Sequence, residues 1–436
     1  MKRRNLFFIV LFVAGMGDPA IARDTSPVPL TLKDAEAMAL KNHPQVLAAR
    51  ALSLESAQII LERRSAYFPL LNGDLTGSGG NPLGRIGAGY LPASSLFDRF
   101  AAGVAVSQLI TDSGRTANLV ASSRLQAQAS QRTYEATRYD VLLAVNQAYF
   151  DALRAQALVK VAEETVAARQ LVADQIAALA KNKLRSQLDV SFADVNLSQA
   201  KLLLTRAQDQ VQETFAELTR ALGVEQQSNY KLADEPLPPS PPDDDDSLIS
   251  QAFSNRPDLL SLRLERDAAM RFARAERDLS FPTVSLVGVA GVIPAINQIL
   301  LPHTIPNNYE GAALDVQVPI FNGHLFAARR EAARYRAQAE DQRAIDLAER
   351  IARDVRVAGS KSRTAFQNLD VTAQLLRQAT LALDLAQGRY DLGLSSIVEL
   401  SQAQLNLTQA EIENLSAKYE YQEMYATLQY TMGLLR

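Results

Sequence analysis

Hydrophobic residues follow a helical spacing through most of the chain. Two apolar stripes, 210 positions apart, each use intervals of four, three and four residues: Val211, Phe215, Leu218 and Leu222, then Tyr421, Tyr425, Leu428 and Met432. Residues 115–222 contain neither Gly nor Pro, and no Pro follows Pro319. Such uninterrupted stretches, rich in Ala, Leu, Gln, Arg and Glu, predict very long helices packed as antiparallel coiled coils.

Two polar turns divide the long stretches. Turns near Lys181-Asn182-Lys183 and Tyr390–Gly393 predict helices over 115–181, 187–222, 324–391 and 396–432. The first and third of these would span about 100 Å at about 1.5 Å per residue. Shorter helices over 32–66 and 248–280 are broken near their starts by Pro44 and Pro257, which suit a first helical turn. Each short helix and its return helix together match the length of one long partner.

Four segments alternate between apolar and small or polar residues. They predict strands near 70–80, 99–110, 283–292 and 311–320, joined in pairs by long loops over 81–98 and 293–308. The pattern suits a membrane barrel, although a soluble sheet with one buried face would show the same alternation. Four strands cannot close a barrel, and an open edge cannot face lipid. A membrane sheet would therefore require two or three chains.

The chain carries an internal duplication behind an export signal. Residues 1–22 combine a basic start, an apolar run and Ala20-Ile21-Ala22, which predicts a secretory signal peptide. Repeated landmarks predict one structural unit over 23–234 and a second over 248–436. A stiff Pro/Asp linker over 235–247 separates them. Its four aspartates, Asp243 to Asp246, suit either a bound cation or the N-terminus of the next helix.

Composition removes most enzyme classes. The 436 residues include 45 basic and 48 acidic side chains, three histidines and no cysteine, for a net charge of −3. The charge gives no reason to expect nucleic acid as a partner, because phosphate binding needs a basic surface. Without cysteine there are no disulfides, thiolate metal sites or cysteine nucleophiles. We expect no enzymatic activity, no cofactor and no resident metal.

The ordered motifs resemble the TolC family of bacterial outer-membrane efflux proteins over nearly the whole mature chain. The most specific motif is Tyr390-x-x-Gly393-x-x-Ser396-x-x-Glu399. The other matching segments, in chain order, are Leu32-Lys33-Asp34-Ala35, Asn42-His43-Pro44, Phe68-Pro69, Arg256-Pro257-Asp258-Leu259, Phe281-Pro282 and Val318-Pro319-Ile320-Phe321-Asn322-Gly323. The resemblance implies a mainly α-helical homotrimer, with a 12-stranded barrel in outer-membrane lipid and a 12-helix tunnel across the periplasm. It also implies a periplasmic adaptor and an inner-membrane transporter of the RND, ABC or MFS type as partners.

The resemblance also implies roles for residues at the helix turns. Tyr390 matches the family's gate tyrosine and Glu399 its first acidic ring, whereas Ser395 and Gln402 replace an arginine and a second acidic ring. Three copies of Glu399 near a threefold axis would repel one another and attract cations; the alternative is that Glu399 is an ordinary solvated helix residue. Asp189 is the first-copy match of Glu399. The tip residues expected to contact the adaptor are Lys183, Leu184, Arg185 and Ser186 in the first copy and Gly393, Leu394, Ser395 and Ser396 in the second.

The sequence therefore predicts a trimeric exit duct that opens at its periplasmic tip. Asp315 and Gln317 are expected to face the water-filled barrel, because a lipid-facing Asp would be costly. The main alternative is an exported periplasmic or secreted coiled-coil protein with a structural role, whose short strands form a soluble cap.

Overall fold

The computed structural model describes residues 28–78, 85–86, 94–95, 99–225, 230–296 and 308–435. The signal peptide predicted over 1–22 lies outside the described residues, and so does most of both hairpin loops predicted over 81–98 and 293–308.

Seventeen segments of regular structure follow one another in the described residues, and all except the 3-10 turn, β3 and β4 repeat in order between the two halves. The first half contains β1 (Val28–Leu30), α1 (Leu32–Asn42), α2 (Pro44–Arg64), a 3-10 turn (Ser65–Tyr67), β2 (Leu70–Ser78), β3 (Arg85–Ile86), β4 (Ser94–Ser95), β5 (Arg99–Thr111), α3 (Arg115–Lys181) and α4 (Gln187–Leu222). The second half contains β6 (Tyr230–Leu232), α5 (Asp245–Asn255), α6 (Pro257–Asp278), β7 (Thr283–Ile296), β8 (Asn308–Gln317), α7 (Leu325–Asp391) and α8 (Ile397–Thr431).

Each short N-terminal helix is split just before its proline. His43 and Arg256 adopt extended backbone conformations, and the following prolines occupy the first positions of α2 and α6. A proline there sacrifices no helical hydrogen bond, because the first N–H groups of a helix have no partner in the helix. The helix after the linker begins at Asp245, earlier than the predicted 248, because the Asp244 side chain accepts hydrogen bonds from the backbone N–H groups of Asp246 and Ser247.

The short helices stack end to end on the return helices. Gly223 ends α4 in a left-handed conformation (φ +68°), and a Cβ at this position would lie 2.6 Å from the Cα atom of His43. Gly433 (φ +70°) follows α8 and lies against Asn255 and Arg256 in the same way, since a Cβ there would come within 2.9 Å of the Asn255 carbonyl carbon. Glycine is required at both joints because any side chain would collide with backbone. Each pair thus runs alongside one 67-residue helix, α3 or α7, about 100 Å long.

One four-stranded antiparallel sheet lies at one end of the helices, in the order β2-β5-β7-β8. The register places small and polar residues on one face, including Asp74, Ser107 and Asp315. The other face is apolar and includes Leu75, Val104 and Leu314. Within the described residues, β2 and β8 each pair on one side only. The sheet is therefore open at two edges.

The last strand ends earlier than the sequence suggested. β8 runs from Asn308 to Gln317, so Val318 and Ile320 lie beyond it, and the predicted end at 320 is wrong. Pro319 explains the difference, because proline has no N–H to donate to a strand ladder.

The largest core cluster lies midway along the helices. There the Tyr149 hydroxyl hydrogen-bonds to the carbonyl oxygens of Leu30, at the end of β1, and Ala233, directly after β6, which ties α3 to both strands of the parallel pair β1–β6. Among the helices of the described residues, none has a stretch with the length and hydropathy needed to span a membrane.

Candidate functional site at the helix tips

The tips of the two helical hairpins, α3–α4 and α7–α8, lie together at the end of the molecule farthest from the sheet. Seven buried side chains from all four helices form one apolar cluster there: Ala173, Ile176, Ala193, Leu197, Tyr390, Ile397 and Leu400. The cluster joins the first repeat to the second. Movement of one hairpin away from the other must break it.

Both tip turns use the same backbone hydrogen bonds. In the first, Lys183 N–H donates to Ala180 O (2.9 Å) and Leu184 N–H to Leu179 O (3.0 Å). In the second, Gly393 N–H donates to Tyr390 O (3.0 Å) and Leu394 N–H to Arg389 O (2.8 Å). This Schellman arrangement requires a left-handed residue at its centre, which is Lys183 (φ 61°) in one turn and Gly393 (φ 73°) in the other. The first tip therefore carries backbone strain that the second avoids.

The two return helices begin with a serine cap but use their acidic residues differently. Ser186 caps α4, and the Asp189 carboxylate accepts from the Ser186 N–H and hydroxyl, each at 3.0 Å. Ser396 caps α8 by accepting from the Glu399 N–H (3.4 Å). The Glu399 carboxylate instead pairs with Arg389 Nε at 3.1 Å across the α7–α8 hairpin. Asp189 is thus committed to a helix cap, whereas Glu399 lies exposed beside a cation.

Arg185 connects the two tips through Tyr390. Its Nη2 atom donates to the Tyr390 carbonyl oxygen (2.8 Å), and its guanidinium carbon lies 4.0 Å from the centre of the Tyr390 ring. Tyr390 is only 4% exposed, and its hydroxyl has no hydrogen-bond partner in the described part of the chain. Burial raises the pKa of Tyr390, while the Arg185 charge opposes that rise. Arg185 and Tyr390 together form a cation–π contact between the two repeats, which we call the tip latch.

Two further polar contacts join the repeats above the tip latch. The Asn196 side chain donates to the Ser401 hydroxyl (2.8 Å), which links α4 to α8. Arg169 is buried on α3 and donates to the Gln404 carbonyl (2.7 Å) and the Thr408 hydroxyl (3.1 Å) of α8. Burial lowers the pKa of Arg169, so these bonds matter for keeping its charge inside the protein.

A carboxylate pair lies farther along the seam between α3 and α8. Burial and the neighbouring Asp151 raise the pKa of Glu423 to about 7, although Arg154 acts in the opposite direction. The Glu423 Oε1 atom is buried without a hydrogen-bond partner among the described residues. The seam therefore contains one group whose charge changes near neutral pH.

The remaining candidate residues are distributed between the tip surface and the sheet. Leu184 and Leu394 are each 69% exposed at the outermost points of the two turns. Ser395 is half-buried, and its hydroxyl is without a partner in the described residues. Asp315 and Gln317 lie on the small and polar face of the sheet, opposite Ser285 and Thr283 of β7.

Sequence reasoning did not identify the tip latch or the carboxylate pair. Arg185 was expected to contact an adaptor, whereas the structure places it on Tyr390, 205 positions away. Nothing in the sequence distinguishes Glu423, because its spacing is that of an ordinary helix residue. Comparison of the two repeats in sequence pairs Arg185 with Ser395. It gives no sign that Arg185 packs against Tyr390, which occupies a different position in its repeat.

The long helical hairpins and the two-faced sheet define a fold that outer-membrane channels share. The CmeC outer membrane channel of Campylobacter jejuni superposes with a TM-score of 0.78 at 17% identity, over 92% of this chain and 85% of that one. The family model for "Outer membrane efflux protein" matches residues 37–224 and 248–434, so the chain belongs to the outer membrane efflux protein family. The two separate matches coincide with the two repeats.

Named relatives agree with this family. The outer membrane protein TolC of Vibrio cholerae is 24% identical over 402 residues, 91% of this chain and 89% of that protein. Protein CyaE of Bordetella pertussis is 26% identical over 298 residues, 67% of this chain and 62% of that protein. The resemblance inferred from the sequence is confirmed, and the chain is an efflux channel protein of the outer membrane.

Proposed function

We propose that three copies of this chain form a passive exit duct, with the sheets joined into one barrel in the outer membrane and the helices into a tunnel in the periplasm. The observation that carries the proposal is the four-stranded sheet, which has one apolar face and free edges at β2 and β8 in the described residues. An unpaired edge is intolerable in lipid, and pairing β2 of one chain with β8 of the next removes both edges.

The tip latch is the proposed closure. Arg185 holds the carbonyl and ring of Tyr390, and the ties from Asn196 and Arg169 hold α8 against the first repeat. Opening then consists of the α7–α8 hairpin moving away from the α3–α4 hairpin. Glu399 contributes a negative charge at the entrance, which Arg389 of the same chain partly neutralises.

The exposed tip surface is the proposed docking site for a periplasmic adaptor. Leu184 and Leu394 protrude from equivalent turns, so a threefold assembly would present six such leucines in a ring. Leu392, also exposed, extends the apolar surface of the second turn, and a contiguous apolar patch rimmed by polar side chains is typical of a surface that binds another protein. The adaptor would connect the duct to an inner-membrane transporter of the RND, ABC or MFS type.

Engineered cysteines test the closure of the sheet directly, because the chain contains none of its own. Within one chain, β2 and β8 are separated by two strands and lie about 14 Å apart, too far for a disulfide. Asp74→Cys on β2 should be combined in turn with Gly311→Cys, Ala313→Cys and Asp315→Cys on β8. All four positions lie on the same face of the sheet.

We expect at least one combination to give covalent trimers on a non-reducing gel, in vesicles that also show channel conductance. The single-cysteine variants are matched controls and should give no trimer. Compact monomers without crosslinks or conductance would overturn the proposal and favour a soluble coiled-coil protein.

A further inference from the structure

Five arginines cluster where the helices meet the second hairpin of the sheet. Three lie in the last two turns of α6 and two in the first three turns of α7. All lie within about 14 Å of the sheet-side helix ends at about 1.5 Å per residue. We call them the arginine collar: Arg271, Arg274, Arg277, Arg330 and Arg334.

The stability of the helices explains the positions of only some arginines of the collar. Cations near the C-terminus of α6 are favoured by the helix dipole. Arg330 and Arg334 lie near the N-terminus of α7, where the dipole disfavours positive charge, and the first turn of α7 contains no acidic residue. The helix dipole therefore does not explain why two arginines lie there.

The arginine collar faces away from the large groove between the helices. This groove, of about 970 Å³, is lined by α2, α3, α6 and α7 together. Phe272 and Arg336 line this groove. At about 100° per residue, Arg274 and Arg334 lie about 160° around their helices from those two residues. Both are exposed, on the side of the helices opposite the groove.

Nearby acidic residues neutralise the arginine collar only in part, because two carboxylates, Asp278 and Glu331, face its five arginines. Glu276 is 2% exposed and accepts two hydrogen bonds from Arg329, at 2.7 and 3.1 Å. Asp278 is 3% exposed and is shared between Arg277 and Asn118. Glu331 is shared between Arg330 (3.8 Å) and Arg334 (2.7 Å). The surface opposite the groove therefore keeps a net positive charge.

The arginine collar lies next to exposed aromatic residues on the side of the sheet. Phe281 precedes β7 and Phe321 follows β8, and both are exposed. Aromatic side chains favour the boundary between hydrocarbon and headgroups, and long arginine side chains reach from protein into the headgroup layer. The arginine collar is therefore placed at the level of lipid phosphates if the sheet crosses the bilayer.

We propose that the arginine collar binds anionic phospholipid headgroups of the leaflet from which the helices emerge. The inference rests on the proposed insertion of the sheet into the outer membrane. It adds a lipid preference that fixes the height and tilt of the duct. Each arginine near a membrane surface contributes attraction to anionic lipid equivalent to about a fivefold preference.

The test compares spin-labelled phosphatidylglycerol with spin-labelled phosphatidylethanolamine around the full-length protein in vesicles of both lipids. Electron paramagnetic resonance measures the fraction of each label held at the protein surface. We expect the wild-type protein to prefer phosphatidylglycerol, the double variant R274Q/R330Q to lose several-fold of that preference, and Glu331→Gln to increase it. Because the two changes act in opposite directions, a folding defect cannot imitate both.

The control variant R206Q/R356Q removes two exposed arginines from helix regions far from the sheet, and it should retain the wild-type preference. Unchanged lipid preference in R274Q/R330Q, in protein that inserts and conducts, would overturn the role of the arginine collar alone. Failure of the wild-type protein to insert into any vesicle would overturn the proposed function and the arginine collar together.

Discussion

The two tip turns share a backbone but differ in what their side chains do. Both close a Schellman turn and both begin the return helix with a serine cap. The first tip supplies Arg185 and a self-contained cap at Asp189. The second supplies Tyr390, a relaxed Gly393 and an exposed Glu399.

The difference shows that the two repeats contribute different residues to one contact, the tip latch. The position that matches Arg185 in the second repeat is Ser395, and the position that matches Tyr390 in the first is Ala180. Neither repeat carries both residues at these positions, so the contact requires one side chain from each repeat. The first tip thus supplies the cation of the tip latch, and the second supplies its aromatic ring and carbonyl group.

The largest expected effect comes from removing the side chain of Tyr390. Tyr390→Ala deletes a buried ring from the four-helix cluster, and the loss of an aromatic core residue costs about 3–5 kcal/mol. We expect a tip that opens more often, measured as higher channel conductance in planar bilayers. Arg185→Ala should act in the same direction with a smaller increase.

Ser395→Ala provides the matched control, because Ser395 occupies the position of Arg185 in the other repeat. It should leave conductance near the wild-type value. An equal increase in Ser395→Ala and Arg185→Ala would contradict the assignment of separate roles to the two tips.

The next effect depends on pH and compares Glu423 with its first-repeat match, the exposed Glu213. The folded state raises the pKa of Glu423 from 4.5 to about 7. The stability of the protein that depends on protonated Glu423 is therefore fully present below pH 4.5 and is lost as the pH rises through 7. The difference is at most about 3 kcal/mol. We expect Glu423→Gln to gain thermal stability over the wild-type protein progressively between about pH 4.5 and pH 7.

Glu213→Gln should follow the wild-type melting temperature at every pH. If the melting temperature of Glu423→Gln also changes with pH as that of the wild-type protein does, the pair formed by Glu423 and Asp151 does not determine the pH dependence of stability.

Substitution of the left-handed residue in each turn should have an effect of intermediate size on the local stability of that turn. Gly393→Ala places a Cβ in open space but in a left-handed conformation, which costs about 1–2 kcal/mol. Lys183→Gly should relieve a comparable strain in the first tip. Hydrogen exchange at the Leu394 and Leu184 amides, which close the two turns, should become faster in the first variant and slower in the second.

A loss of protection at Leu184 in Lys183→Gly would contradict the strain argument. It would indicate that the lysine side chain stabilises the turn by more than its conformation costs.

The smallest expected effect concerns the two acidic cap positions. Asp189→Ala removes a reciprocal cap and should cost about 1 kcal/mol, whereas Glu399→Gln removes an exposed ion pair worth about 0–1 kcal/mol. Glu399→Gln should nevertheless reduce cation selectivity, measured as a shift in reversal potential under a salt gradient. Asp189→Asn is the control, and an equal shift in both variants would show that Glu399 has no special place at the entrance.

The long helices were accessible from sequence because their signals are local. Helix breakers flank 115–222, and the structure has α3 at Arg115–Lys181 and α4 at Gln187–Leu222. The end of β8 was misplaced because the alternation of apolar residues continues through Val318 and Ile320, while Pro319 interrupts the ladder. At this position the proline, and not the spacing of apolar residues, determines where the strand ends.

The tip latch could not be predicted from the residues of either turn. Its geometry depends on how two hairpins, each closed by local rules, pack against one another across the four-helix cluster. Arg185 has neither a matching arginine in the second repeat nor a sequence neighbour that marks it as a partner of Tyr390. Contacts of that kind depend on tertiary packing, which spacing does not encode.

The free edges of the sheet have a genetic consequence. If every edge must be sealed by a neighbouring chain, a subunit with a damaged β8 disables the healthy subunits that it joins. Such a mutant allele should be dominant when expressed beside the normal one, whereas an allele that prevents synthesis of the chain should be recessive.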